Sequence, residues 1–172
     1  TSVLVRVPTT EDTIDEVDET FDLTATVNTG TTSNPSATGT GTILDDDPAP
    51  TVTIGDVTVE EGEDAVFTVS LSNPSSEDIV VDVTTTTGTA GTDDYTETTT
   101  TVTIPAGSTS TTVTVPTTED SIDEADEQFT LDGTVTSGNT SNTDPSGTGT
   151  ITDYDCAPTI LVSSPTVEEG GF

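Results

Sequence analysis

Residues Ala65-Val66-Phe67-Thr68-Val69-Ser70-Leu71 carry a strand signature. Ala65, Phe67, Val69 and Leu71 recur at every second position with mostly polar neighbours, and a period of two puts them on one face of an extended strand. The alternation returns at Ile79, Val81 and Val83, at Val113 and Val115, and at Phe129, Leu131 and Val135. Each run reads as a half-buried strand. Threonine, the commonest residue, suits the outer faces, because its branched β-carbon favours extended backbone while its hydroxyl tolerates water. Ser72-Asn73-Pro74, Pro105-Ala106-Gly107 and Ser137-Gly138-Asn139 punctuate the runs as turns. Nothing of useful length reads as helix. The spacing predicts an all-β fold, an antiparallel two-sheet sandwich of about seven strands, A to G.

Composition then limits how such a sandwich is stabilised. Of 172 residues only 28% are apolar, with four Phe, two Tyr and no Trp or Met, which predicts a thin core. Acidic residues outnumber basic ones 33 to 1, Arg6 is the one cation, and the net charge is −32. Compaction crowds that charge unless a counter-ion neutralises it. Phosphate backbones and anionic lipid are repelled, so nucleic acid is excluded as a partner, and no run approaches the roughly 18 apolar residues of a membrane-inserted span. Cys156 stands alone and lysine is absent, so neither an internal disulfide nor a lysine–asparagine isopeptide is available. Acidic, aromatic-poor chains are often disordered; the ordered alternation argues against that here. Metal cations are the natural counter-charge.

Sliding the sequence on itself gives one register. Pro8-Thr9-Thr10-Glu11-Asp12 recurs as Pro116-Thr117-Thr118-Glu119-Asp120, an offset of 108. The same offset aligns Gly39-Thr40-Gly41-Thr42-Ile43 with Gly147-Thr148-Gly149-Thr150-Ile151, and Val59-Glu60-Glu61-Gly62 with Val167-Glu168-Glu169-Gly170. That period fits one whole sandwich of roughly 100 residues and is too long for a solenoid repeat. The sequence therefore predicts a tandem array: residues 1–47 as the C-terminal half of one repeat, 48–155 as a complete repeat, and 156–172 as the N-terminal strand of the next. Thr1 then falls inside a strand E. Such a boundary also raises strand exchange between identical chains as a way of completing each sandwich.

The acids are clustered. Glu119, Asp120, Asp123, Glu124, Asp126 and Glu127 crowd one inter-strand connection; Asp153 and Asp155 close the repeat; Glu60, Glu61, Asp93 and Asp94 lie at other strand ends. Alternate loops of a sandwich gather at one pole, so the loops after strands E and C and the exit of strand G are expected to meet there. Carboxylates a few ångströms apart repel strongly without a cation. Ca²⁺, which takes six to eight oxygen ligands in flexible geometry, suits the site better than Mg²⁺; zinc does not suit a chain with no His and one Cys. The alternative, solvated loop charge, is countered by the recurrence of the pattern as Glu11, Asp12, Glu16, Asp18 and Glu19 with Asp45, Asp46 and Asp47. Paired carboxylates also serve glycosidases, but those need a cleft lined with stacking aromatics, and aromatics are only 3% of the chain, so no enzyme is expected.

Four motifs in order, Val59-Glu60-Glu61-Gly62, Gly91-Thr92-Asp93-Asp94-Tyr95, Glu119-Asp120-Ser121-Ile122-Asp123-Glu124-Ala125-Asp126-Glu127-Gln128-Phe129 and Gly149-Thr150-Ile151-Thr152-Asp153-Tyr154-Asp155, resemble the Calx-β domain. The resemblance covers the complete repeat and most of both flanking pieces. It implies an immunoglobulin-like sandwich that binds Ca²⁺ at one pole, as in sodium–calcium exchanger regulatory domains and large bacterial surface adhesins of the repeats-in-toxin type. Position by position it implies Glu61, Asp94, Glu119, Asp120, Glu124, Glu127, Asp153 and Asp155 as metal ligands. In the first, partial repeat it implies Glu11, Asp12, Glu16, Glu19, Asp45, Asp46 and Asp47. Tyr154 departs from the pattern, standing where the first repeat has Asp46, and this implies fewer or weaker ions at the second site.

Close tandem copies argue for length rather than recognition. The leading expectation is a calcium-rigidified extender or spacer of a giant adhesin at the cell surface or secreted, serving cell adhesion and biofilm, with neighbouring repeats of the same chain as partners. The alternatives are a regulatory Ca²⁺ sensor like the exchanger domains, and a salt-adapted surface-layer or matrix protein. The third expects acids spread over the strand faces, which here carry Thr and Ser.

Overall fold

A computed structural model describes residues 2–170; Thr1, to which strand E is expected to extend, and Gly171 and Phe172, at the end of the expected third segment, lie outside the described residues. Ten strands follow one another: β1 (Glu19–Thr26), β2 (Ser36–Ile43), β3 (Val52–Ile54), β4 (Val57–Glu60), β5 (Asp64–Leu71), β6 (Ile79–Thr87), β7 (Thr99–Ile104), β8 (Ser110–Pro116), β9 (Glu127–Ser137) and β10 (Ser146–Thr152). β3 to β10 form an all-β sandwich of a five-stranded sheet, β4-β10-β9-β6-β7, and a three-stranded sheet, β3-β5-β8. Among the described residues no helix is long and apolar enough to cross a membrane.

The alternation read from the sequence sets the faces. Ala65, Phe67, Val69 and Leu71 of β5 are buried, as are Ile79, Val81 and Val83 of β6, Val113 and Val115 of β8, and Phe129 and Leu131 of β9. Val135 packs against them, half-buried. The core is thin, and its centre is aromatic: the Phe129 ring stacks on Tyr95 at 4.4 Å and meets Phe67 edge-on at 5.8 Å.

One expected strand is two. The first strand of the sandwich breaks at Gly55 and Asp56, so that β3 pairs antiparallel with β5 while β4 crosses to the other sheet and pairs parallel with β10. The Gly55 amide still donates to Thr68 O, and the Asp56 carboxylate accepts the Thr148 amide, which satisfies the backbone at the crossing. The complete sandwich therefore has eight strands, and the crossing delivers Glu61 to the end of β10.

The hairpin β1–β2 matches β9–β10 in register: Glu19 faces Ile43 as Glu127 faces Ile151. Two expectations need correction. Residues 2–12 form no strand, and Val3 and Leu4 are 90% and 95% exposed. At the matching positions β8 takes its ladder from β5, and no counterpart of β5 pairs with residues 2–8 among the described residues. Likewise residues 156–168 form no strand; Ile160, Leu161 and Val162, which match β3, are exposed, because β3 depends on β5 and no second copy of β5 is among the described residues.

A Cβ at Gly149 would sit 2.6 Å from Cε1 of the Phe129 ring, whereas one at Gly39 would meet nothing within 4 Å. Gly149→Ala is expected to overpack the core and cost about 1–3 kcal/mol, and Gly39→Ala to leave the unfolding midpoint unchanged. Urea melts in chelator compare the two.

Candidate metal centre

Four segments bring carboxylates to one pole of the sandwich, each fixed by backbone geometry. Glu61 follows β4 in a turn whose amides donate to Thr152 O and Glu60 O. Gly62, at φ +80°, takes the left-handed conformation that turn needs, and a Cβ there would lie 2.8 Å from Glu119 Oε2. Asp94 accepts the Gly91 amide at 2.6 Å, its own carbonyl receives the Thr118 amide, and its neighbour Tyr95 is anchored in the core. The loop after β8 carries Glu119, Asp120 and Glu124, with Asp120 Oδ1 capping the Ile122 amide at 2.7 Å, and Glu127 opens β9. Asp153 and Asp155 leave β10; Asp153 accepts the Glu124 amide on one oxygen (3.1 Å) and the Asp155 amide on the other (3.0 Å).

Six of the eight carboxylates expected in the complete unit fall into two triads, Glu61–Asp120–Asp155 and Asp94–Glu124–Glu127, each offering oxygens within 4.8 Å of one another. Asp153 lines the cleft that contains parts of both, but its oxygens hold the backbone together. Glu119 joins neither triad and packs beside Gly62. Tyr154 projects its ring into solvent.

Around the first unit, Glu11, Asp12, Glu16, Glu19, Asp45, Asp46 and Asp47 line a single cleft. The frame is that of the second pole: Asp12 Oδ1 caps the Ile14 amide, Asp45 accepts the Glu16 amide at 3.2 Å, and the Asp47 amide approaches Asp45 Oδ1 at 3.4 Å. Asp18, which was not among the expected ligands, accepts the Asp45 amide. The acidic run gave no sign of that role, because a run shows charge but not which carboxylate turns inward. Among the described residues, the lining of this cleft holds no counterpart of Glu61 or Asp94.

The electrostatics are those of crowded anions. Burial, a hydrogen bond shared with Asp94, and the charges of Asp94 and Glu124 push the Glu127 carboxyl up to about 7. Burial, then Asp120, Asp94 and Asp153, raises Glu124. Burial also raises Glu61, with the charges of Asp153, Asp155 and Glu119 adding to it against a hydrogen bond from the Tyr154 backbone. Glu16 and Asp47 rise for the same reasons, burial first and neighbouring carboxylates second.

Two atoms test whether a cation fits. Glu61 Oε1 and Asp155 Oδ2 are buried without a hydrogen-bond donor, and both belong to the same triad. A buried carboxylate oxygen without a partner is costly, and an all-oxygen set of this kind suits a hard cation such as Ca²⁺. The one cysteine, Cys156, is exposed and offers nothing to a soft metal here.

The family model of the Calx-beta domain matches residues 45–155. Among solved structures the chain is similar to the apo form of the Calx CBD1 domain (17% identity, TM-score 0.53, 63% of this chain and 100% of that one). It is also similar to CBD12 from CALX1.2 (20% identity, TM-score 0.54, 59% of this chain and 44% of that one) and to the calcium binding domain CBD12 of CALX1.1 (21% identity, TM-score 0.51, 59% and 45%). At these identities the likeness establishes the fold. No curated protein matches the chain.

Because Glu127 holds its proton more tightly in the folded state, its contribution to metal-free stability is complete below pH about 4.5 and lost as pH rises through about 7. In chelator the melting temperature should therefore rise on acidification across that window, and Glu127→Gln should flatten the slope. Circular-dichroism melts at stepped pH check this; a slope identical in the variant would remove Glu127 as its source.

Proposed function

The chain belongs to the Calx-beta family, and from that premise we propose that it is a calcium-rigidified extender, one length of a tandem array in a large extracellular adhesin. The observation that carries this reading is the pair of carboxylate triads at the pole, with the buried, donor-less oxygens of Glu61 and Asp155 beside the link that leaves β10. Bound calcium neutralises the pole and ties the outgoing link to the sandwich in one step, with Glu61, Asp94, Asp120, Glu124, Glu127 and Asp155 as its ligands. The cleft of Glu11, Asp12, Glu16, Glu19, Asp45, Asp46 and Asp47 does the same for the link that enters the complete unit.

Length is supported by the 108-residue offset and by the matched registers of β1–β2 and β9–β10. The segments 1–47, 48–155 and 156–172 are then parts of three successive repeats, and each sandwich is completed by chain that continues the array. The partners are neighbouring repeats. A net charge of −32 disfavours nucleic acid and anionic membranes, and the role is structural rather than catalytic. Millimolar extracellular calcium is the condition in which low-affinity modules of this kind are saturated.

A second reading, a regulatory calcium sensor, is favoured by the likeness to a structure described as a calcium binding domain. Affinity separates the two, since sensors saturate at roughly 10⁻⁷–10⁻⁵ M and extracellular modules at about 10⁻⁴–10⁻³ M.

Calcium at about a hundred times its dissociation constant should stabilise the fold by about 2.7 kcal/mol, a rise in melting temperature on the order of 10–20 °C for a unit of this size. Glu61→Gln should remove much of that rise, and Asp82→Asn, on an outer strand face, should keep it. Thermal melts and small-angle scattering of the chain, titrated with Ca²⁺ against Mg²⁺ at fixed ionic strength, provide the test. Stiffening at millimolar calcium supports the extender, saturation at micromolar calcium supports the sensor, and no response to calcium removes both.

A further inference from the structure

The loop 13–16 of the first unit is seated on the opposite pole of the complete sandwich. The Asp15 amide donates to Pro74 O at 3.1 Å, and the Ser76 amide and hydroxyl return bonds to Asp15 O at 2.9 and 3.0 Å. The side-chain amide of Asn139 reaches both Asp15 carboxylate oxygens, at 3.1 and 3.2 Å. Asp15 is 6% exposed, a buried acid outside the carboxylate clefts whose partners come from the turns after β5 and β9. Beside it, Asn73 donates to Pro48 O on the linking segment.

The complete sandwich carries the same loop at its far pole. Thr118-Glu119-Asp120-Ser121-Ile122-Asp123-Glu124 repeats Thr10-Glu11-Asp12-Thr13-Ile14-Asp15-Glu16 with a single change, Ser121 for Thr13. The internal frame is also repeated, with Asp120 capping Ile122 as Asp12 caps Ile14, and Asp153 holding the Glu124 amide as Asp45 holds that of Glu16. The surroundings differ. Asp123 is exposed where Asp15 is buried, and Ile122 is 59% exposed where Ile14 is half-buried.

We propose that loop 121–124 is a docking knob for a second copy of this domain: Asp123 seats on the Pro74–Ser75–Ser76 and Asn139 face of the following copy, as Asp15 seats on that face here. The joint is a latch made of protein alone, two-way backbone bonds plus a carboxylate gripped by a primary amide. Its contacts are made by protein groups on both sides, beside the carboxylate cleft that Asp12 and Glu16 line. The knob rests on the reading of the chain as one length of an array, while the latch at Asp15 lies within this chain.

The test uses the 172-residue chain in chelator, with hydrogen exchange at the Ser76 amide as the readout, because that bond crosses the joint. Asp15→Ala and Asn139→Ala should each speed Ser76 exchange at least tenfold while leaving the core amides of β5 and β9 protected. Asp123→Ala should leave Ser76 exchange in this chain unchanged. The buried core lies entirely within residues 52–151, so a longer chain in which residues 48–155 are repeated after Asp155 supplies the missing partner; there Asp123→Ala should speed exchange at the added copy's counterpart of Ser76. Unchanged Ser76 exchange in both Asp15→Ala and Asn139→Ala overturns the latch, and an unaffected added joint overturns the knob. A latch that holds while the chain ignores calcium would count against the calcium reading alone, and calcium stiffening without a latch would count against this proposal alone.

Discussion

Carboxylates repel one another at one pole of the sandwich, and the loops and strand ends around them are arranged against that repulsion. Glu61, Asp94, Asp120, Glu124, Glu127 and Asp155 come from four segments separated along the chain, and nothing in their own chemistry draws them together. The backbone does so, through the Gly62 turn, the Asp94 turn anchored by Tyr95, the Asp120 cap and the two hydrogen bonds of Asp153. Core packing and loop geometry hold these like charges close, and the Glu127 carboxyl is raised first by burial and then by its contact with Asp94 and the charges of Asp94 and Glu124.

The core behind them is thin. Its aromatic centre is one stack, Tyr95 on Phe129 with Phe67 edge-on, and no covalent staple is available from a lone cysteine and no lysine. Tyr95 and Phe129 sit one and two residues from Asp94 and Glu127, so the packed centre and the charged pole share the same two pieces of chain.

The two ends of the sandwich differ in chemistry. The acidic pole carries the two triads beside the segment that leaves β10, and the opposite pole, at the turns after β5 and β9, receives the Asp15 loop through backbone hydrogen bonds and the grip of the Asn139 amide on the Asp15 carboxylate. Loop 13–16 thus takes part in both kinds of contact, with Glu16 in the acidic cleft and Asp15 against the turns of the complete sandwich.

How much was legible follows from what each signal encodes. Alternation at Ala65, Phe67, Val69 and Leu71, and at the matching runs, was enough for strands, faces and an all-β sandwich, because burial on one face of a strand imposes a period of two on the residues themselves. The acidic runs and their 108-residue recurrence located the charged loops, because a repeat is a property of the sequence alone. Pairing is not. The jump of the first strand between sheets at Gly55 and Asp56, the sorting of six acids into two triads while Asp153 and Glu119 stand aside, and the difference between buried Asp15 and exposed Asp123 in near-identical loops all depend on which distant segment lies alongside. For the same reason Val3, Val5 and Val7 form no strand though their pattern is that of β8: an extended segment becomes a strand only when another supplies its hydrogen bonds. Inward-facing residues and the place of the charge are therefore readable along the chain, whereas which of those residues meet is settled in three dimensions, because contacts between remote segments are made by the sheets and leave no local trace.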